Sequence, residues 1–243
     1  MDTLGWDRAD IILVSGDSYM DSPFMGIAVI GNVLAARGFR VAVIAQPDMD
    51  SDRDITRLGE PRLFWGISAG AVDSMVANYT ATGKRRKKDD YTPGGVNDRR
   101  PDRALIQYSN LIRRYFKNTA PLVLGGVEAS LRCVSHYDLW SDSVRRSVLF
   151  DAKADYLIYG MGEKPVVELA LALKHGDDPR SIRGLCHISK EPVDSYLELP
   201  SHDEVRNDAG VFAAMFRTFY DNNDPLTAKG LCQKQDTRWL VLN

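Results

Sequence analysis

The sequence predicts an α/β fold: a doubly wound, mostly parallel five-stranded sheet with a small α+β appendage toward the C-terminal end. Three observations predict it. Short, almost wholly apolar runs alternate with helical patterns. Most of those runs end in small or acidic residues. The composition changes after Lys174. Strands that are apolar at every position are covered on both faces, which is the setting of a parallel sheet. Strand–helix alternation then means right-handed βαβ crossovers.

Residues 11–14 (IILV) read as a buried strand that runs into Ser15-Gly16-Asp17. Residues 26–37 (GIAVIGNVLAAR) place apolar side chains at helical spacing, and Gly38 supplies the stop. Residues 40–46 (RVAVIAQ) make a second strand, ended by Pro47. Residues 63–68 (LFWGIS) make a third, followed by Ala69-Gly70. Residues 121–124 (PLVL) make a fourth, followed by Gly125-Gly126. Residues 156–159 (YLIY) make a fifth, followed by Gly160-Met161-Gly162-Glu163, and residues 165–174 resume a helix. Two long connections interrupt this pattern. Residues 71–101 carry the basic run Lys84, Arg85, Arg86, Lys87 and Lys88; a structureless loop of that length is functional or disordered. Residues 127–150 mix charges and aromatics and read as a helical excursion across the crevice expected at the carboxyl ends of the strands.

Gly176-Asp177-Asp178-Pro179 reads as a linker, which divides the chain into residues 1–175 and 176–243. Beyond it, residues 182–189 suit one strand of a small hairpin. Residues 208–221 suit an amphipathic helix with Phe212, Met215, Phe216 and Phe219 on one face. Residues 238–243 are apolar and strand-like. A chain that stops inside such a run reads as cut.

Bulk properties bound the function. The chain has 243 residues, 44% hydrophobic and 26% charged, enough to bury a sizeable core. The formal net charge of -2 gives no overall pull toward nucleic acid or membrane. Cys133, Cys186 and Cys232 are odd in number and far apart, which fits free thiols in a reducing cytoplasm better than a disulfide framework. The first ten residues are acidic, without a signal-peptide run, and no stretch nears the ~18 apolar residues of a membrane span. The expectation is a soluble cytoplasmic protein with no membrane partner.

In an open α/β sheet, ligands sit beyond the carboxyl ends of the strands, at the switch point. The residues expected to line that crevice are Gly16, Asp17, Tyr19, Asp21, Gly26, Ser68, Gly70, Gly125, Gly126, Glu128, Gly160, Gly162 and Glu163. The glycines would let backbone approach a ligand, and the acids would accept hydrogen bonds. Glu128 and Glu163 have a second reading, as caps of helix N-termini. No catalytic residue emerges: GxSxG is absent, and Gly66-Ile67-Ser68-Ala69-Gly70 is a loose echo of it. Walker and GxGxxG motifs are absent too. No metal site emerges either. CxxxCxxC, CxxC and HExxH are missing; Cys133 with His136, three apart on a possible helix face, and adjacent Cys186 and His187 are isolated pairs.

Several segments together resemble a known family. They are VSGDSYMDSPFMGIAVIGNVLAARGFRVAVIAQPD (14–48), WGISAGAVDSMVANYTATGKRRKKDDYTPGG (65–95), RPDRALIQYSN (100–110) and LGGVEASLRCVSHYDLWSDSVRRSVLFDAKADYLIYGMGEK (124–164). They resemble the amino-terminal region of YgiQ-type radical SAM proteins across nearly the whole chain. The resemblance implies a cobalamin-binding-like domain over residues 1–175, its five parallel strands in flavodoxin-like order. It implies that residues 176–243 lead into a radical SAM barrel that this sequence does not contain. That barrel would carry a CxxxCxxC motif holding a [4Fe-4S] cluster, which binds S-adenosylmethionine and cleaves it reductively to a radical.

The function so implied is an accessory domain that covers or presents substrate to its own downstream barrel, with no activity assigned to this chain alone. Cobalamin is an open candidate. The loop after the first strand reads Asp21-Ser22-Pro23-Phe24-Met25-Gly26, which matches the Asp and Gly of the cobalamin motif DxHxxG but has no histidine. Imidazole ligation of cobalt from this loop is excluded. The rival reading is a non-catalytic module that binds RNA or a protein through residues 84–88. A free-standing hydrolase or transferase ranks last, for want of a nucleophile and base.

Overall fold

The computed structural model describes residues 4–222, 224 and 227–243, so the first three residues of the acidic start lie outside it. Each of the five apolar runs becomes a strand: β1 (Ile11–Ser15), β2 (Val41–Ala45), β3 (Phe64–Ser68), β4 (Leu122–Gly125) and β7 (Tyr156–Ile158). They lie side by side as β2-β1-β3-β4-β7, all parallel. That order puts the switch point between β1 and β3. Alternation along β1 serves two layers. Ile11 and Leu13 face one side with Phe64, Val123 and Ile158, while Ile12 and Val14 face the other with Trp65 and Ile67.

Helices cover both faces. α1 (Gly26–Ala36) and α6 (Glu163–His175) pack together over the first layer. α3 (Ala104–Tyr115), α4 (Gly126–Leu131) and α5 (Val148–Asp151) cover the second. The long connection after β3 is not structureless. It holds α2 (Ser74–Asn78), capped by Asp73, and two isolated β-bridges, Tyr79 with Arg85 and Lys88 with Val96. The excursion at residues 127–150 is only partly helical: between α4 and α5 runs a hairpin of β5 (His136–Asp138) and β6 (Ser143–Arg145).

The sheet has nine strands, not five. β8 (Leu185–Ser189) pairs antiparallel with β7, so residues 182–189 continue the main sheet instead of starting a separate hairpin. β11 (Arg238–Leu242) and β10 (Leu231–Gln235) follow antiparallel, and β9 (Leu197–Leu199) closes the edge parallel to β10. The supposed linker is turn chemistry. Gly176 takes the left-handed conformation (φ 77°) that ends α6, and the Asp178 carboxylate caps a 3-10 turn at Pro179–Ser181. The chain then pairs with the outer edge of β7 and satisfies its backbone groups. α7 (His202–Asn207), started by a Ser201–Glu204 capping box, and α8 (Ala209–Asp221) lie over this extension. The expected apolar face of α8 is incomplete: Met215 is buried, Phe212 and Phe219 are half-buried, and Phe216 is 56% exposed. No helix among the described residues is long and apolar enough to cross a membrane.

Candidate functional site

A crevice of about 390 Å³ opens at the carboxyl edge of the parallel strands, between α1 and α6. This is at the small end of ligand pockets, so it encloses a fragment or the tail of a larger ligand. Leu13, Phe64, Gly66 and Val123 form its strand floor. Two features of the floor depend on glycine. A Cβ at Gly66 would stand 2.6 Å from Leu13 Cδ2, and Gly126 sits at φ 85°, where a Cβ would stand 2.8 Å from Ser68 Oγ. Seven glycines line the crevice, and Glu163 is its one charged lining residue. The first turns of α1 and α6, neither capped by a side chain, open onto it.

Eight of the thirteen expected residues line this crevice: Gly26, Ser68, Gly70, Gly125, Gly126, Gly160, Gly162 and Glu163. Five lie elsewhere. Tyr19 is 46% exposed on the loop after β1. Asp21 accepts a hydrogen bond from Asn32 of α1 at 3.0 Å. Gly16 and Asp17 belong to a buried ionic cluster, and Glu128 faces away beneath α4. Sequence reasoning missed the apolar walls, chiefly Ile27, Ile30, Ile158, Met161 and Val166. It also passed over Gly66, whose position inside a strand was the available signal.

The ionic cluster centres on Arg100, which the sequence reading left in a basic loop. Its Nη2 donates to Asp17 Oδ1 at 2.5 Å and lies 3.1 Å from Asp89 Oδ2, and its Nε donates to the Gly16 carbonyl at 3.1 Å. All three charged side chains are almost fully buried. Gln46 ties the same carbonyl to Thr92, and Thr92 donates to Asp89. The Ala71 N–H donates to Asp17 Oδ2 at 2.6 Å. Burial pushes the Asp17 carboxyl above its ordinary pKa, against the Ala71 N–H and Arg100, which draw it down. The cluster clamps the ends of β1 and β3 to the long connection. It abuts the crevice wall, because Gly70 takes φ 109° and a Cβ there would lie 2.1 Å from Asp17 Oδ1.

Glu128 acts as a double helix cap. Its carboxylate accepts from Ser74 N at 2.7 Å and Leu105 N at 3.4 Å, the first turns of α2 and α3. Burial raises its pKa, with Arg132 opposing. Arg132 pairs in turn with Asp73. Cys133 and His136 share no helix face, since one follows α4 and the other starts β5. Burial pushes the Cys133 thiol up to about 12 and His136 down to about 4. Cys186 and His187 are neighbours on β8 and so point to opposite faces. Among the described residues no three His, Cys, Asp or Glu side chains group as a metal site would require. The basic run at residues 84–88 is exposed, yet Arg85 lies over the Tyr79 ring and within 3.7 Å of Asp102. Arg86 donates to the Val76 and Tyr79 carbonyls.

Comparison with known proteins bears on the whole chain. A UPF0313 protein of Fusobacterium nucleatum is 56% identical over all of this chain and 43% of its own length. A UPF0313 protein of Thermotoga maritima is 52% identical over the same shares. The chain thus spans about two fifths of these relatives, at their amino-terminal end. Among solved structures, the radical S-adenosylmethionine methyltransferase TsrM from Kitasatospora setae is similar at 20% identity and a TM-score of 0.49, over 73% of this chain and 28% of that one. The model of the Radical SAM N-terminal family matches residues 1–243. With that match along its full length, and relatives more than half identical over the same span, the chain belongs to the Radical SAM N-terminal family.

Proposed function

We propose that this chain is a ligand-presenting accessory domain that works with a radical SAM barrel carried by the same protein. The observation that carries the proposal is the glycine-floored, nearly uncharged crevice at the carboxyl edge of the sheet. In this reading residues 1–175 hold the ligand, and residues 176–243 join that unit to the barrel. The eight crevice-lining residues of the sequence reading contact the ligand. Gly16 and Asp17 position the wall beside it. The [4Fe-4S] cluster and S-adenosylmethionine belong to the barrel. The residues here do not fit a cluster, for the cysteines are buried and no three His, Cys, Asp or Glu side chains among the described residues group as metal ligands. Unpaired buried thiols support a reducing, cytoplasmic setting.

Cobalamin fits in part. The crevice has room for the ring at the end of the nucleotide tail, not for a whole corrin. No histidine lines it, so this chain supplies no imidazole to cobalt there. The test is titration with hydroxocobalamin followed by visible absorbance, with Gly125→Phe as the blocking variant. Gly125 has extended backbone, and a Cβ there meets no atom within 4 Å, so a larger side chain enters the crevice without backbone strain. Saturable binding that Gly125→Phe abolishes supports cobalamin as the ligand; absence of binding removes it. An intact protein that carries no iron and does not cleave S-adenosylmethionine overturns the enzymatic half.

A further inference from the structure

We propose that Phe24, Val127, Leu131 and Met161, an apolar crown around the crevice mouth, form the docking surface for the segment that follows residue 243 in the longer relatives. Single exposed apolar side chains are ordinary on protein surfaces. These four converge. Phe24 is 91% exposed, Met161 82%, Leu131 64% and Val127 48%. Phe24 and Met161 come from the loops after β1 and β7, Val127 comes from the first turn of α4 after β4, and all three line the same mouth. Leu131 stands one helical turn beyond Val127 on α4. A contiguous apolar patch at the edge of a cleft marks an interaction surface.

Topology identifies the occupant. β8 is antiparallel to β7, and β11 is antiparallel to β8. β11 therefore runs in the direction of β7 and delivers the chain to the crevice edge of the sheet. Asn243 is fixed there. Its carbonyl accepts from the Tyr159 hydroxyl at 2.6 Å and from Gly184 N at 2.8 Å. Tyr159 precedes Met161 by two residues. More than half the length of the relatives lies beyond the matched region, since that region covers 43% of them at the amino-terminal end. That remainder starts beside the crown. A tethered segment has an effective concentration in the millimolar range, far above that of a second molecule. The proposal rests on the accessory-domain reading for a long chain, and it needs no ligand in the crevice.

The test is thiol labelling of the intact protein carrying Phe24→Cys or Met161→Cys. The three cysteines of this chain are buried, and the labelling of the unsubstituted intact protein, which includes every cysteine of the barrel, is subtracted as background. Each rate is compared with that of the same variant unfolded in guanidinium. Sites as exposed as these, if uncovered, label near the unfolded rate; covered sites label at least about tenfold slower. Slow labelling at both positions, without added cofactor and independent of protein concentration, is the expected result. Labelling near the unfolded rate overturns the proposal. Protection that vanishes on dilution assigns the crown to a second copy and overturns it, as does protection that needs added cobalamin. Failure of cobalamin binding or of S-adenosylmethionine cleavage leaves this readout untouched, so the two readings fail separately.

Discussion

Replacing Arg100 with Met removes the cation that lies between two buried carboxylates. Arg100 is fully buried, and its side chain meets Asp17 at 2.5 Å and Asp89 at 3.1 Å. Without the guanidinium, at least one carboxyl must take up a proton to stay inside, because water cannot solvate it there. Holding an aspartate neutral at pH 7, against an intrinsic pKa near 3.9, costs about 4 kcal/mol at about 1.4 kcal/mol per pH unit. At pH 5 the same requirement costs about 1.5 kcal/mol. The carboxyl of the variant has a raised folded pKa, so its penalty grows as pH climbs above the unfolded value. Urea unfolding at the two pH values measures both numbers. The variant that also carries Asp17→Asn and Asp89→Asn is expected to recover most of the loss at pH 7. A loss under about 1 kcal/mol at pH 7, or an equal loss at both pH values, refutes the view that Arg100 neutralises this cluster.

Gly70→Ala forces a Cβ into a φ of 109° and against Asp17 Oδ1, and should lower stability by about 2 kcal/mol or more, read as a fall in Tm of roughly 5 °C by calorimetry. His136 is held at about 4 by burial while its unfolded pKa is 6.5, so the unfolded chain binds the extra proton between those values. Stability should therefore fall by up to about 3 kcal/mol as pH drops from 6.5 to 4, and His136→Gln should flatten that slope in urea melts. Ser201→Ala removes the α7 capping box and should cost about 1 kcal/mol in the same assay, with no change in m.

The legible part of the fold is its parallel half, and for a plain reason. Strands covered on both faces are apolar at nearly every position, as in IILVS or LVLG, and no local signal contradicts them. The antiparallel half hides its strands behind polar letters. β10 reads LCQKQ, yet Gln233 and Gln235 are fully buried. Their side chains serve the Ser135 and Ser147 N–H groups, about 90 to 100 residues away in sequence. Reading glutamine as a surface residue erases that strand. The Gly176 cap had the opposite effect and suggested a boundary inside a continuous sheet. At the site, glycine turns announced the crevice because turn position is a local property. Asp17 stands in one of those turns, but its fate is set by Arg100, 83 residues on. Glu128 is likewise claimed by helix termini at Ser74 and Leu105. A single sequence carries the carboxylate and not the distant donor that occupies it.

The two faces of the sheet divide their labour, and the division bears on ligand binding. The α3 side buries charge: Arg100 with its aspartates, and Glu128 with Arg132 and Asp73. The α1–α6 side buries almost none and keeps the open crevice. The turn at residues 68–71 is the wall between them. Ser68 and Gly70 face the crevice, while Ala71 N is held by Asp17. Polar order on one side thus preorganises the apolar surface on the other, which lowers the entropy that a ligand must overcome. With cobalamin as the proposed ligand, Arg100→Met should weaken hydroxocobalamin binding although residue 100 does not line the crevice. Ser201→Ala, distant in α7, should leave the affinity unchanged. Equal affinities for both variants, measured under conditions where each is folded, would mean that the wall holds its shape without the cluster beneath it.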